Sequence, residues 1–274
     1  MSNPFVDAIR PAMQRDNSAP DDYKDADGVL MCGKCNTRKQ TFFEVEGLIP
    51  RTLVACLCKC EAEKREAEEK AAKIERLRER CLLDEKYLAG RFSADDGQDA
   101  KASAFCREYV NNWEWVQENN AGVLLWGDVG GGKTFYASCI ANALIDKCVP
   151  VIMDTITNLA AVMAQDYGAC RDQVLKQVAS VPLLILDDVG AERDTSFALE
   201  NAYAIINARY KAHKPLIVTT NLTMAALKNP PEIAYKRIYE RIVEMCSPCK
   251  VEATGRRQAA ARAKMDALLK QFGL

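Results

Sequence analysis

An α/β fold with a parallel sheet flanked by helices is what this sequence predicts, on three observations. Apolar runs of strand length recur at Gly122–Trp126, Val149–Met153, Leu183–Leu186 and Leu216–Thr220. Long helical patterns alternate with them, as parallel βαβ units require. The first run leads straight into Gly127-Asp128-Val129-Gly130-Gly131-Gly132-Lys133-Thr134, which meets the spacing of a phosphate-binding P-loop between a strand and a helix. A small cysteine-rich module and a charged helix precede this core.

Composition bounds the rest. A chain of 274 residues, 49% of them hydrophobic, allows one large domain with a smaller module attached. The formal charge of −1 offers no global field for nucleic acid, so any such contact must use local patches. No apolar run approaches membrane-spanning length, and Met1-Ser2-Asn3-Pro4 lacks the order of a signal peptide, so the expectation is a soluble cytoplasmic protein with no membrane partner. Reduced thiols are expected there, which makes clustered members of the 12 cysteines metal candidates rather than disulfides.

Residues 1–28 are rich in Asp, Pro and Asn with little periodicity, and read as a flexible N-terminal arm. Residues 29–88 form the second part. They hold Cys32-x-x-Cys35, the short apolar stretch Thr41–Val45, a turn signal at 47–50 and a second thiol group, Cys56, Cys58 and Cys60. Five thiols are thus available for the four places of a closed tetrahedral Zn²⁺ site, which would let a segment with hardly any core fold at all. From Glu61 to Arg80 nearly every residue is Glu, Lys, Arg or Ala, the pattern of a solvated helix with a thin apolar edge at Ile74 and Leu77. Arg91-Phe92 and Asp95-Asp96-Gly97 read as a linker, followed by a helix with Phe105, Tyr109, Trp113 and Val116 on one side. Residues 89–274 make the third part, the nucleotide-binding domain.

In the P-loop the glycines let successive backbone N–H groups face one phosphate chain, Lys133 reaches the β- and γ-phosphates, and the Thr134 hydroxyl can ligate Mg²⁺. The candidate ATP-binding residues run from Gly127 through Thr134 to Phe135. Leu183–Leu186 delivers Asp187 and Asp188 to the carboxyl edge of a buried strand, Asp187 as the expected Mg²⁺ partner and Asp188 as a base for the attacking water. Leu216–Thr220 carries Thr220 and Asn221 to the same edge, where the Asn221 amide can orient that water. Arg237 and Arg241 lie four apart on one face of a helix whose other face carries Ile238 and Ile242. Two roles are open to them: an arginine finger for the next subunit's γ-phosphate, or a solvated face pairing with Glu240 and Glu244.

Other features read more plainly. Cys81, Cys106, Cys139, Cys148, Cys170, Cys246 and Cys249 are expected as buried small apolar residues, with Cys246-Ser247-Pro248-Cys249 as a turn. His213 reads as a helix-end residue. Residues 250–274 form a basic, Ala-rich helical pattern with Leu268, Leu269 and Phe272 as an edge, either packed on its own domain or touching DNA phosphate.

The ordered series of P-loop, Asp187-Asp188, Thr219-Thr220-Asn221 and Arg237-x-x-x-Arg241 resembles the AAA+ ATPases that load bacterial replicative helicases, the DnaC and DnaI type. Leu125-Trp126-Gly127, Ile140-Ala141-Asn142-Ala143-Leu144 and Asp187–Glu192 are close to that family's wording, and Cys32-x-x-Cys35 with Cys58-Lys59-Cys60-Glu61 is similar to its phage and prophage members. The resemblance implies an ATPase using ATP and Mg²⁺, with Asn221 as first sensor, Arg241 as finger with Arg237 as its rival, and Arg257 as second sensor. It favours Cys32, Cys35, Cys58 and Cys60 as the zinc ligands, with Cys56 in reserve. Partners it implies are a DnaB-like replicative helicase held by the first 88 or so residues, single-stranded DNA, and further copies of the chain in an ATP-bridged oligomer. Lys34, Arg38 and Lys39 keep direct DNA binding by the cysteine module open, and the stretch from Asn158 to Val178, with Arg171 and Lys176, is the DNA-contacting part by family analogy. Two other functions stand beside the loader: a transposition helper ATPase of the IstB type, and a non-hydrolysing adaptor that binds through its zinc module.

Overall fold

The computed structural model describes residues 17–46, 49–81, 85–165, 170–191, 196–230, 232–252 and 256–272. These fall into two compact units, the first ending at Lys73 and the second beginning at Ile74.

In the first unit, β1 (Tyr23–Lys24) pairs with β2 (Leu30–Met31), and β3 (Gln40–Val45) pairs with β4 (Ile49–Ala55), both antiparallel. Of the turn expected at 47–50, residues 47 and 48 lie outside the described residues, while Ile49 and Pro50 already belong to β4. The apolar interior here is slight, with Val29 and Ile49 buried beside the thiols of Cys32 and Cys58. Polar contacts do the tying instead. Asn17 Nδ2 donates to the carbonyls of Lys39 and Cys56, both at 3.0 Å. Lys39 Nζ meets Asp22 Oδ2 at 2.7 Å with both side chains 3% exposed, and Asp22 Oδ1 accepts from Gly33 N. Two expectations are corrected by this pair. Residues 17–28 are built into the module rather than trailing from it, and Lys39 is spent on Asp22, leaving exposed Lys34 and Arg38 as the basic groups near the knuckle.

Helix α1 (Lys59–Cys81) follows, charged throughout and laced by i,i+4 pairs such as Lys64–Glu68 and Arg65–Glu69. Such exposed pairs contribute only a few tenths of a kcal/mol each. Its closing turns set Ile74 and Leu77 against the core of the second unit, as their place on the thin edge predicts.

The second unit opens with α2 (Glu85–Leu88), a 3₁₀ turn at Phe92–Ala94, α3 (Ala100–Asn111) and α4 (Trp113–Glu118). Then come β5 (Gly122–Trp126), α5 (Lys133–Asp146), β6 (Val151–Thr155), α6 (Ile156–Met163), α7 (Arg171–Ser180) and β7 (Leu183–Asp187). The chain continues through α8 (Ser196–Ala212), β8 (Leu216–Thr220), α9 (Met224–Lys228), α10 (Ile233–Met245), β9 (Cys246–Lys250) and α11 (Arg256–Phe272). Asp99 caps α3 by accepting from Ala102 N, and Thr155 and Thr223 cap α6 and α9 in the same way; each such cap is worth about 1 kcal/mol.

The sheet has five parallel strands in the order β6-β7-β8-β5-β9. Alternation along its strands builds two cores. Val123, Leu125, Leu183, Ile185 and Ile217 face one way, against Cys106, Tyr109 and Trp113 of α3 and α4 and Tyr136, Ile140 and Leu144 of α5. Leu124, Leu184, Leu186, Leu216 and Val218 face the other, against α6, α7, α8 and α10. A strand buried on both faces needs apolar residues at every position, which is why the sequence shows unbroken runs here.

Two strands depart from expectation. β6 starts at Val151, because Cys148 (φ 60°) and Val149 close the end of α5, with Val149 N donating to Leu144 O, and Pro150 lacks an N–H for the ladder. Cys246-Ser247-Pro248-Cys249 is no turn; it is the edge strand β9, in parallel register with β5 from Gly122↔Cys246 to Trp126↔Lys250. Proline is tolerated on an edge. Of the remaining cysteines, Cys106, Cys139 and Cys246 are fully buried as expected, whereas Cys148, Cys170 and Cys249 are only partly covered. His213 does end a helix, in a left-handed turn at φ 48°. Among the described residues no helix is long and apolar enough to cross a membrane.

Candidate functional site

A cavity of about 670 Å³ opens at the carboxyl edge of the sheet. The loop after β5 and the start of α5 supply Val129, Gly130, Gly132, Lys133, Thr134 and Phe135 to its wall. Thr155, Asp187, Asp188, Thr219 and Asn221 come from the ends of β6, β7 and β8. Strand ends at one edge of a parallel sheet converge in this way by construction.

Two glycines make the loop possible. Gly127 has φ 144°, and a Cβ there would lie 2.4 Å from the Val251 carbonyl. Gly132 takes φ 98° where the chain turns into α5, whose first N–H groups have no partner within the helix and are the kind of donors that bind phosphate. Lys133 is 7% exposed and lies back on the loop, donating to the carbonyls of Gly127 (2.9 Å) and Asp128 (2.8 Å).

Asp187 Oδ1 accepts from two hydroxyls, Thr134 Oγ1 at 2.8 Å and Thr219 Oγ1 at 2.7 Å. Asp187 is 3% exposed. A hydroxyl and a carboxylate are hard oxygen donors of the kind that hold Mg²⁺, often with water between, so the residues fit that ion. Asp188 sits one residue on in a left-handed turn, φ 57°, its N–H on Thr219 Oγ1 (2.8 Å) and its Oδ1 accepting from Asn221 Nδ2 (2.9 Å). The acid pair and the amide expected from the sequence therefore meet at one point. Thr220 does not join them: it is fully buried and donates to the Val189 carbonyl. A period of two along β8 places Thr219 and Asn221 on the side of the cavity and Thr220 on the other, a signal present in the sequence but read one residue late.

The wall also contains residues that sequence reasoning missed. Lys86, which the sequence places in the module of residues 29–88, and Ala89, Gly90, Ala94 and Asp96, in and just before the expected linker, line the cavity as well. Asn142 of α5 fixes that segment by donating to the carbonyls of Tyr87 (2.7 Å) and Gly90 (2.9 Å). Gly90 is packed so closely that a Cβ would stand 2.3 Å from Ser138 Cβ. Tyr87 is buried with its hydroxyl 3.3 Å from Asp187 Oδ2, and Lys86 Nζ is 4.0 Å from the same oxygen.

The arginines lie elsewhere. Arg241 holds its guanidinium over the rings of Tyr203 (4.6 Å) and Tyr210 (5.4 Å) of α8, and its buried Nη1 has no hydrogen-bond partner among the described residues. Arg237 is exposed. Neither lines the cavity of its own chain. The acids of the alternative reading have other partners: Glu240 meets Lys236 at 3.9 Å, and Glu244 accepts from the Tyr210 hydroxyl at 2.9 Å. The Arg257 side chain lies outside the described residues. Arg171, one of the two basic residues in the stretch from Asn158 to Val178, donates to Asn201 (2.7 Å) and Glu200 (3.1 Å).

In the first unit, Cys32, Cys35, Cys58 and Cys60 place their sulfurs all within 4.8 Å of one another. Cys32–Cys60 is 3.7 Å and Cys58–Cys60 is 3.4 Å; Zn–S bonds of ~2.3 Å imply S···S separations of about 3.8 Å in a tetrahedron. These four sulfurs thus fit a closed zinc site. Cys56 turns away, its thiol 3.6 Å from the Arg38 carbonyl. The Thr37 hydroxyl, 3.1 Å from Cys35, brings that thiol down to about 6, while burial pushes Cys58 up.

Sheet, loop and strand-edge acids together define a P-loop nucleotide-binding protein of the AAA+ type. The model of the IstB-like ATP binding protein family matches residues 62–262, and the chain belongs to that family. It is 32% identical over 148 residues to the phage-like element PBSX protein XkdC of Bacillus subtilis (strain 168), covering 52% of this chain and 54% of that one. It is 24% identical over 201 residues to the replicative helicase loader DnaI of the same organism, covering 68% and 64%. With the replicative helicase loader DnaC of Escherichia coli (strain K12) it shares 25% over 121 residues, covering 43% and 48%. The chain therefore spans from about half to about two thirds of the length of these relatives. The crystal structure of the DnaC helicase loader superposes with a TM-score of 0.52 at 24% identity, covering 62% of this chain and 100% of that one, a likeness of fold.

Proposed function

We propose that the protein is an ATP-switched loader that places a DnaB-like replicative helicase on single-stranded DNA in the cytoplasm. The observation that carries this reading is the convergence of the P-loop, the Thr134–Asp187–Thr219 cluster and the Asp188–Asn221 pair on one cavity, in a chain whose relatives include two named helicase loaders.

Lys133 leaves the loop carbonyls for the β- and γ-phosphates, and the backbone from Gly127 to Phe135 cradles the chain of phosphates. Mg²⁺, when bound, would supply positive charge that offsets the charge of the phosphates. Thr134 and Asp187 hold its position. Asp188 accepts the proton of the attacking water while Asn221 orients that water and senses the γ-phosphate. Arg241, or Arg237, completes the pocket of a neighbouring copy, so that ATP bridges an oligomer and hydrolysis loosens it, with Arg257 as a second sensor. Residues 29–88 grip the helicase through a surface rigidified by zinc on Cys32, Cys35, Cys58 and Cys60, since four thiolates leave no open position for catalysis. Residues 89–274 act as the ATPase.

The experiment is co-purification of the full chain with a replicative helicase, with ATP, with ADP and with no nucleotide. Capture that depends on ATP supports the loader; ATP-dependent capture of a transposase in place of the helicase would move the protein to the transposition helpers of the IstB type.

A further inference from the structure

Asp187 is served from two sides. Its Oδ1 takes the Thr134 and Thr219 hydroxyls, while its Oδ2 faces Tyr87 and Lys86 of α2. Lys86 and Tyr87 differ in exposure. Tyr87 is 1% exposed, with its carbonyl held by Asn142. Lys86 has half of its side chain in solvent and lays its ammonium over the Tyr87 ring, 4.6 Å from the centroid and 4.0 Å from Asp187 Oδ2. A buried aromatic ring thus carries a half-exposed cation beside the proposed magnesium partner.

We propose that Lys86 is a built-in counter-cation for Asp187 that competes with divalent metal, and so sets the metal concentration at which nucleotide binds. The proposal rests on the reading of Asp187 as the magnesium partner. Two charge effects of opposite sign follow. Without metal, a bare Asp187 repels an incoming polyphosphate, and Lys86 offsets that repulsion. With metal, Lys86 is one positive charge too many beside Asp187, and it opposes the ion. A residue that merely supported the fold would weaken binding in both conditions.

The test is isothermal titration of ADP into the full chain, in EDTA and across a magnesium chloride series, for the wild type, Lys86→Met, Lys86→Arg and Asp187→Asn. Methionine keeps the stem over Tyr87 and removes the charge. For this half-exposed pair the expected effects are about threefold: Lys86→Met binds ADP about threefold more weakly in EDTA, and reaches half-saturation at about threefold less magnesium. Lys86→Arg stays near wild type in both. A Lys86→Met variant that shifts the same way in both conditions, or in neither, overturns the proposal. Asp187→Asn separates the levels: if it retains the wild-type magnesium dependence, Asp187 is not the metal partner and both readings fall. A normal loss in Asp187→Asn beside an unmoved Lys86→Met removes only the role given to Lys86.

Discussion

Lys133 rests on the carbonyls of Gly127 and Asp128, so its ammonium is already inside the loop before a phosphate arrives. Charge-assisted hydrogen bonds are worth roughly 1.5–3 kcal/mol, which corresponds to at least a tenfold effect on binding. Lys133→Ala is therefore expected to lose tenfold or more in ATP affinity by calorimetry while keeping its circular dichroism spectrum. Arg241 invites a different expectation. Stacked over Tyr203 and Tyr210, it contributes about 0.5–2 kcal/mol of cation–π stabilisation within its own chain. Arg241→Ala should lower the melting temperature by a few degrees, and the exposed Arg237→Ala should not; equal melting temperatures would mean that the stacking contributes nothing in solution. Much of this residue-level picture is legible in the sequence, because loop, acid pair and amide each sit at the end of a recognisable apolar run. Lys86 and Tyr87 are not legible. Tyr87 meets Asp187 across 100 positions of sequence, and the stretch around it has no periodicity to say that it packs at all. Nor does a lysine at position 39 announce that it will be buried, since its burial depends on Asp22 arriving from a separate turn.

At the scale of elements, the interior strands are apolar on both faces and read as strands without help, whereas β9 hides in Cys-Ser-Pro-Cys-Lys, a composition that suggests a turn. Only pairing with β5 makes it a strand. The joint between α7, α8 and β8 depends on one residue. Arg209 is fully buried, and its guanidinium donates to the carbonyls of Val178, Val181, Pro182 and Pro215. Burial brings its pKa down to about 10, still well above neutrality, so it stays charged. Arg209→Met would orphan those carbonyls and is expected to cost about 3 kcal/mol or more in denaturant unfolding. The cysteine module makes the complementary case, with Val29 and Ile49 as its main buried hydrophobic side chains beyond the thiols. Treatment with a zinc chelator should abolish amide protection across residues 17–58 in hydrogen exchange, yet change ADP affinity less than twofold. Protection that survives in a metal-free sample would remove zinc from the account.

For the molecule as a whole, the proposal that a neighbour supplies the arginine makes a prediction that no single chain can satisfy. Lys133→Ala subunits keep the arginine but lose the nucleotide, and Arg241→Ala subunits keep the nucleotide but lose the arginine. Each alone should hydrolyse ATP at under a tenth of the wild-type rate, and an equal mixture should recover a substantial part of it. No recovery on mixing would place the essential arginine in cis, or elsewhere.

The edge of the sheet says something about how such neighbours can meet. Val251 N donates to Trp126 O, and N–H directions alternate along a strand, so position 248 turns its nitrogen away from β5, toward the outside. Proline there leaves the middle of that border without a donor. A second sheet laid along this border would miss its central rung, so backbone lamination through β9 is disfavoured. Contacts made at this side of the molecule fall to side chains, which form and part more readily than a ladder of main-chain bonds.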